Sequence, residues 1–205
     1  MSYIETISPD AAEGAVLEMY EHQQQHWGYV PNYAKSFSHR PEVMARWGRL
    51  LAEIRRPLDP RTFELVTFAA AHELRHTPCS LAHGKALTPF FSNEQILAIA
   101  RQESLDFLTK AEREMVGFSR KVARDAAAID EADVQRLKDC GLDDGTIFDI
   151  AATAAGRAFF TKVLDAVGSL PDAGFMSIEE DLRVPLTVGR PISTADDEVM
   201  NDISD

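Results

Sequence analysis

The sequence is poor in cysteine and has no long hydrophobic run. Only two cysteines, Cys79 and Cys140, occur among 205 residues, and their wide separation excludes a disulfide-rich scaffold. No apolar stretch approaches the roughly 18 residues that a membrane-spanning helix needs. The first residues, MSYIE, lack the basic and then apolar layout of a signal peptide. We therefore expect a globular cytoplasmic protein whose cysteines are reduced.

Basic residues are also scarce. Lys and Arg number 21 against 33 Asp and Glu, which gives a formal charge of −12. Such an acidic surface repels nucleic acid and anionic membranes, so we expect neither as a partner. The acidic excess is concentrated in residues 171–205, where Arg183 and Arg190 are the only basic residues. We expect residues 1–170 to form one domain and residues 171–205 to form an extended acidic arm with a disordered tip.

Alternation with a period of two residues is missing over any useful length, so no β-sheet is expected. Helix start signals recur instead, as side-chain N-caps or as a proline at the first helical position. They stand at Ser8, Pro41, Asp59, Thr77, Ser92, Thr109, Asp130 and either Asp143 or Asp144. The first helix should end near Gly28 and the last near Gly168. The sequence therefore predicts an all-α fold.

One helix start combines several reactive side chains. With Thr77 as the N-cap, Cys79 lies in the first turn, where the helix dipole favours a thiolate. His83 follows four residues later on the same helical face, and Arg75 and His76 add positive potential on the approach. A cysteine with a base one turn away is the layout of an activated sulfur nucleophile. The competing interpretation is a small buried cysteine, since free cysteine is among the most buried residue types.

The same region raises the question of a metal site. Four potential ligands stand at the spacing of one helical face: His72, His76, Cys79 and His83. Imidazole and thiolate suit zinc, but the ring of Pro78 interrupts the helix on which such a stripe would depend. We therefore expect no metal, and we expect no cofactor.

The pattern E-x11-H-x2-C-x3-H, formed by Glu64, His76, Cys79 and His83, resembles the active-site signature of the alkylhydroperoxidase D (AhpD) and carboxymuconolactone decarboxylase superfamily. That signature has a cysteine where this chain has His76. The upstream segment WGYVPNYAKSFSHRPEVMARW, the LDPRTFEL entry to the motif and the downstream AFFTKVLDAVG are similar to the peroxidase-related branch. The resemblance covers about residues 10–170. It implies an AhpD-like helical bundle in which a helix-turn-helix carries the motif, and assembly into a homo-oligomer.

The resemblance also implies roles for the motif residues. In the family, the second cysteine attacks a hydroperoxide, the first resolves the sulfenic acid as a disulfide, and histidine and glutamate relay the proton. Carried over, Cys79 is the peroxidatic nucleophile, His83 the general base and Glu64 the relay acid. His76 cannot form a disulfide, so the resemblance implies an antioxidant hydroperoxide reductase of one-cysteine type, which depends on an external thiol reductant. In that cycle His76 would hydrogen-bond the thiolate or the incoming small hydroperoxide.

Two other functions stay open at this point. In a decarboxylase-like enzyme acting on a lactone or carbonyl substrate, His76, His83 and Glu64 would perform acid–base chemistry and Cys79 would be a bystander. A non-catalytic member would bind a small apolar ligand or a partner protein, since a fold does not fix a function.

Basic and aromatic residues outside the motif are harder to assign. Arg157 and Lys162 interrupt the apolar face of the last predicted long helix. Lys162 stands where the peroxidase-related branch commonly has arginine, so a core acid or the active site is its expected partner. Trp27, Tyr29 and Tyr33 are more simply explained by core packing than by a pocket.

Overall fold

The computed structural model describes residues 2–194, and within them it contains ten α-helices and no β-strand. The predicted all-α class is confirmed. The helices are α1 (Gly14–Trp27), α2 (Asn32–Ser36), α3 (Pro41–Arg55), α4 (Pro60–Glu73), α5 (Thr77–Ala86), α6 (Asn93–Arg101), α7 (Lys110–Asp125), α8 (Glu131–Lys138), α9 (Asp144–Ala166) and α10 (Glu180–Leu186). Among these residues, no helix has both the length and the apolar character that crossing a membrane requires.

Several helices begin at the predicted caps. The Asp59 carboxylate accepts the Thr62 backbone N–H at 3.0 Å and starts α4. Reciprocal capping boxes at Ser92 and Thr109 start α6 and α7. Each cap pairs a side chain with backbone groups three residues away, so the information that specifies it is local in sequence.

The first predicted helix is divided in two. Pro9–Ala11 forms a short 3-10 turn, the chain is extended at Glu13, and α1 starts only at Gly14. Gly14 has φ +52°, a left-handed conformation that glycine adopts without a steric penalty. The extended residues Ala12 and Glu13 therefore separate the turn at Pro9 from α1.

Helix α4 lies at the centre of the bundle, and its buried residues face three separate apolar clusters. Leu65 and Phe68 pack towards α5, α6 and α10, whereas Val66 and Ala70 pack towards α7, α8 and α9. Ala71 faces a third cluster, which includes Cys79 of the motif. A helix buried on most sides is a core helix, so the motif that begins on α4 is held at the centre of the molecule.

Residues 171–194 are packed and partly helical, which corrects the expectation of an extended arm for this part of the chain. A 3-10 turn (Ala173–Ser177) leads into α10, where Leu182 and Leu186 are buried against α5 and α6. Leu186 lies so close to Gly84 of α5 that a Cβ there would be 2.4 Å from its Cδ1. Leu182 and Leu186, four residues apart on one face of α10, account for this packing. The acidic composition of the segment gives no indication of it. The predicted disordered tip falls on residues 195–205, outside the described residues.

Candidate active site

The motif residues gather around the turn between α4 and α5. Arg75 adopts a left-handed conformation with φ +56°, and the His76 N–H returns to the Ala71 carbonyl at 3.1 Å. His76, and not Thr77 as predicted, is the N-cap of α5: its Nδ1 accepts the Cys79 backbone N–H at 3.3 Å. The turn thus brings the nucleophile candidate and its neighbouring imidazole together through a backbone contact.

His76 is neutral, which corrects the predicted positive potential at this position. Its side chain is completely buried, and burial, followed by the nearby charges of Arg157, His83 and Arg190, lowers the pKa to about 3. Because Nδ1 accepts a hydrogen bond, Nε2 carries the proton. Among the described residues Nε2 has no partner. The other predicted positive residue, Arg75, is exposed and donates to the Val188 carbonyl at 3.1 Å.

His83 and Glu64 form a direct pair. Nδ1 of His83 lies 2.6 Å from Oε2 of Glu64, and both side chains are largely buried. Burial and the charge of Arg157 lower the His83 pKa, while Glu64 acts in the opposite direction. A neutral imidazole that donates Nδ1–H to a carboxylate keeps Nε2 available as a base. The contact forms within one chain and needs no bridging water or second subunit.

Arg157 is the functional candidate that the motif pattern missed. It extends from α9, is buried, and its Nη1 donates to Cys79 Sγ at 3.4 Å. Burial raises the pKa of the Cys79 thiol and the more distant Asp165 adds to this, whereas Arg157 lowers it by its charge and its hydrogen bond. Lys162, whose expected partner was a core acid or the active site, is instead exposed on α9. The sequence signal is a basic side chain within an apolar helix. Arg157 and Lys162, five residues apart, both give this signal, so the sequence alone does not select Arg157.

Cys79 and His83 line a cavity of about 550 Å³. Its walls are mostly apolar, and four parts of the chain supply them: the α1–α3 region, the motif helix α5, helix α9, and the segment after α9. The residues are Trp27, Tyr29, Pro31, Tyr33, Met44, Trp47, Pro78, Cys79, Ala82, His83, Lys85, Arg157, Phe160, Leu164, Ser169, Leu170, Asp172, Gly174, Phe175, Ser177 and Ile178. Trp27, Tyr29 and Tyr33, which were assigned to core packing, therefore belong to the cavity wall. Residues beyond 170 form part of it as well.

His72 and Cys140 do not line this cavity. His72 contacts Ser80 Oγ through Nδ1 at 3.1 Å, and Cys140 lies in the turn after α8. Within residues 2–194, no three His, Cys, Asp or Glu side chains are grouped as a metal ion would require. The four potential metal ligands instead make separate contacts: His72 with Ser80, His76 with the Cys79 backbone, His83 with Glu64, and the Cys79 sulfur with Arg157.

The fold and the motif have counterparts among known proteins. The model of the carboxymuconolactone decarboxylase family matches residues 41–117, which run from α3 into α7 and include the whole motif. An AhpD-core structure, an uncharacterized peroxidase-related protein from Ralstonia eutropha JMP134, superimposes with a TM-score of 0.67 at 20% identity, covering 92% of this chain and 98% of that one. The predicted AhpD-like resemblance is confirmed.

Other structures share the AhpD-like fold. A peroxidase-related protein from Silicibacter sp. TM1040, also uncharacterized, has a TM-score of 0.62 at 20% identity and covers 85% of this chain and 91% of its own. A cysteine-to-alanine variant of the debrominase Bmp8 in complex with 2,3,4-tribromopyrrole has a TM-score of 0.66 at 17% identity, with 91% and 98% coverage. A search among curated proteins gives no match. At these identities the structures establish a shared fold and leave the reaction open.

Proposed function

We propose that this AhpD-like protein is a thiol-dependent hydroperoxide reductase of one-cysteine type, with Cys79 as its nucleophile. The observation that carries the proposal is the contact of Cys79 Sγ with Arg157 Nη1 on the wall of a cavity that His83 also lines. Glu64 holds the His83 imidazole in the tautomer of a base. A nucleophile, a base with its orienting carboxylate and a fixed positive charge are the parts that an activated thiol requires.

In the proposed reaction, Nε2 of His83 takes the proton of the Cys79 thiol while Arg157 stabilises the thiolate. Sγ then attacks the terminal oxygen of the hydroperoxide, so that an S–O bond forms as the O–O bond breaks. The leaving alkoxide receives the proton from His83, which yields an alcohol and Cys79 sulfenic acid. Sulfur supplies the two electrons that reduce the peroxide.

An external thiol completes the proposed cycle. Its sulfur attacks the sulfenic acid, releasing water and leaving a mixed disulfide on Cys79. A second thiol attacks that disulfide, which restores the Cys79 thiol and leaves the reductant oxidised. His76 takes no covalent part. Its contribution is to cap the N–H of Cys79 and so to fix the first turn of α5.

The cavity is larger than hydrogen peroxide would need. Its volume of about 550 Å³ compares with about 30 Å³ for one water molecule in the liquid, and aromatic side chains form much of the wall. These features support an organic hydroperoxide as the substrate. The family match and the peroxidase-related structures support the coarser statement of a peroxidase-related or decarboxylase-like role.

The test is to treat reduced protein with one equivalent of cumene hydroperoxide in the presence of dimedone and to locate the trapped sulfenic acid by mass spectrometry. We expect the label on Cys79 well before any label on Cys140. C140S is the matched control and should label like the original protein, whereas C79S should lose the fast labelling. Oxidation of Cys79 no faster than that of Cys140 would reject the proposal.

The pairing of His83 with the Glu64 carboxylate also suits a second candidate, acid–base chemistry on a lactone or carbonyl substrate. This pair can accept and return a proton without a thiol, and the matched family model is that of carboxymuconolactone decarboxylases. C79S separates the two candidates. Lactone turnover that survives C79S, together with its loss in H83Q, would favour this second function.

A further inference from the structure

The cavity contains a buried positive charge that the protein does not neutralise. Arg157 is only 5% exposed. Among residues 2–194, no carboxylate lies within the 4.0 Å of an ion pair with its guanidinium, and its hydrogen-bond partner is Cys79 Sγ. Its Nε is buried without a partner, as is the Nε of Arg120, so the difference between the two arginines lies in their ion pairs. A guanidinium removed from water without a counter-charge is costly, so this arrangement favours an anion beside it: the Cys79 thiolate during the proposed reaction, and a ligand anion while the thiol is protonated.

Another buried arginine shows how this chain treats such a charge elsewhere. Arg120 is also 5% exposed, but its Nη1 lies 3.1 Å from the Glu73 carboxylate and its Nη2 donates to the Ile99 carbonyl at 2.6 Å. Arg120 lines none of the cavity described above. The buried arginine in the core therefore has an anionic partner within the chain, and the one at the cavity does not.

The carboxylates near the cavity have other partners: Glu64 pairs with His83, and Asp165 pairs with Arg190. Burial keeps the pKa of Cys79 raised, so the resting thiol is neutral. Asp172 is the carboxylate among the lining residues, and it accepts the Asn32 backbone N–H at 2.7 Å. Lys85 adds a second positive charge at the exposed side of α5.

The surroundings of Arg157 favour a flat apolar group. Trp47 and Phe160 stack with ring centroids 4.3 Å apart and planes within 13° of each other. The Arg157 guanidinium lies over both rings, at 5.7 Å and 5.5 Å from their centroids. Tyr33 meets Phe160 edge-on at 5.6 Å. Aromatic walls of this kind bind planar ligands by burying apolar surface and by offset stacking.

We propose that the cavity binds an organic acid that combines a flat apolar body with one carboxylate, and that the carboxylate pairs with Arg157. The apolar body lies against Trp47 and Phe160. The proposal rests on the proposed function only in making such an acid, as its hydroperoxide, the substrate at Cys79. The binding itself depends on Arg157 and the aromatic wall alone.

Isothermal titration calorimetry with 2-naphthoate and its neutral isostere 2-naphthamide tests this binding. A buried charge-assisted pair is strong enough that we expect naphthoate to bind at least about tenfold more tightly than naphthamide. R157M should remove this preference, and R157K should retain part of it. R46M, which removes a positive charge from the exposed face of α3, should leave it unchanged. Equal binding of the two probes by the original protein, or binding of neither, would overturn the inference.

The outcome is separable from that of the peroxidase proposal. Fast sulfenic acid formation at Cys79 without any preference for naphthoate would leave the reaction standing and reject the organic-acid site. Selective naphthoate binding in a protein whose Cys79 does not react with hydroperoxides would do the reverse. Because the two probes are compared on the original protein, the result does not depend on whether R157M folds.

Discussion

His76 links the backbone of the motif to its chemistry. Its Nδ1 caps the N–H of Cys79, and its complete burial keeps it neutral, so it holds the first turn of α5 without adding a charge. The positive charge at the thiol comes from Arg157 on another helix. His76 therefore fixes the position of the Cys79 sulfur, and Arg157 opposes the effect of burial on the pKa of the Cys79 thiol.

Replacing His76 by cysteine tests the alignment of the motif. We expect H76C to form a disulfide with Cys79 under one equivalent of hydroperoxide, since the substitution restores the resolving cysteine of the resembled signature. The measurement is peptide mapping by mass spectrometry without reduction. H76S is the matched control, because serine also serves as an N-cap but cannot form a disulfide. If H76C stays fully reduced, the assignment of His76 to the resolving position is wrong.

At the scale of elements, the segment after α10 crosses the turn that carries the motif. The Gly189 N–H donates to Thr77 Oγ1 at 2.8 Å, and Arg75 donates to the Val188 carbonyl. The backbones approach so closely that a Cβ on Gly189 would lie 2.0 Å from the Arg75 carbonyl oxygen. The chain end that follows α10 therefore stabilises the turn on which Cys79 depends.

We expect G189A to push this segment away from the turn, because backbone atoms cannot give way as a flexible side chain does. The loss of packing should destabilise the protein by about 1–3 kcal/mol and change the rate of Cys79 alkylation. Urea unfolding and iodoacetamide labelling measure the two effects. G117A on α7 is the control: a Cβ there meets nothing within 4 Å, and alanine favours a helix. Equal stability and equal labelling of G189A and the original protein would contradict this role.

Local and long-range contacts differ in how well the sequence predicts them. Caps such as Asp59 and Ser92 could be predicted because each depends on residues three positions away. Arg157 could not be assigned to Cys79, since the two residues are 78 positions apart and meet only after α9 packs against α4. The predicted charge of His76 was wrong for a related reason, because its burial depends on tertiary packing.

The predicted extended arm at residues 171–194 was wrong for a different reason. Its acidic residues dominate the composition after residue 170, whereas Ile178, Leu182 and Leu186, which decide its packing, are few. Net charge describes solubility and partners better than it describes folding. The cavity is therefore built partly from a region that charge alone assigned to a solvated arm.

At the scale of the whole molecule, the net charge of −12 and the charge at the site differ in sign. The cavity is lined by two basic residues, Arg157 and Lys85, and by one acidic residue, Asp172. Most other acidic residues are at the surface or in residues 195–205, outside the described part. An anionic ligand thus meets general repulsion at long range and a specific attraction once inside. Homo-oligomeric assembly stays a prediction from the family resemblance.

Buried neutral histidines make the stability of the whole fold depend on pH. Burial lowers the pKa of His76 to about 3 and, with the charge of Arg120, that of His72 to about 4. In the unfolded chain a histidine takes up its proton near pH 6.5. Acidification below that value therefore protonates the unfolded state first, so the stability that these residues contribute is complete above about pH 6.5 and is lost as the pH falls towards 4 and 3.

The expected effect is large enough to measure by urea unfolding at pH 7.5 and pH 5. A single histidine that stays neutral in the folded state accounts for a loss of about 2 kcal/mol in the free energy of unfolding by pH 5. In H76N, whose asparagine can still cap α5, the difference between the two pH values should shrink by about that amount. H26N alters an exposed histidine on α1 and is the control. If H76N and H26N lose the same stability on acidification as the original protein, His76 does not stay neutral in the folded state, and the positive charge would return to the position beside Cys79.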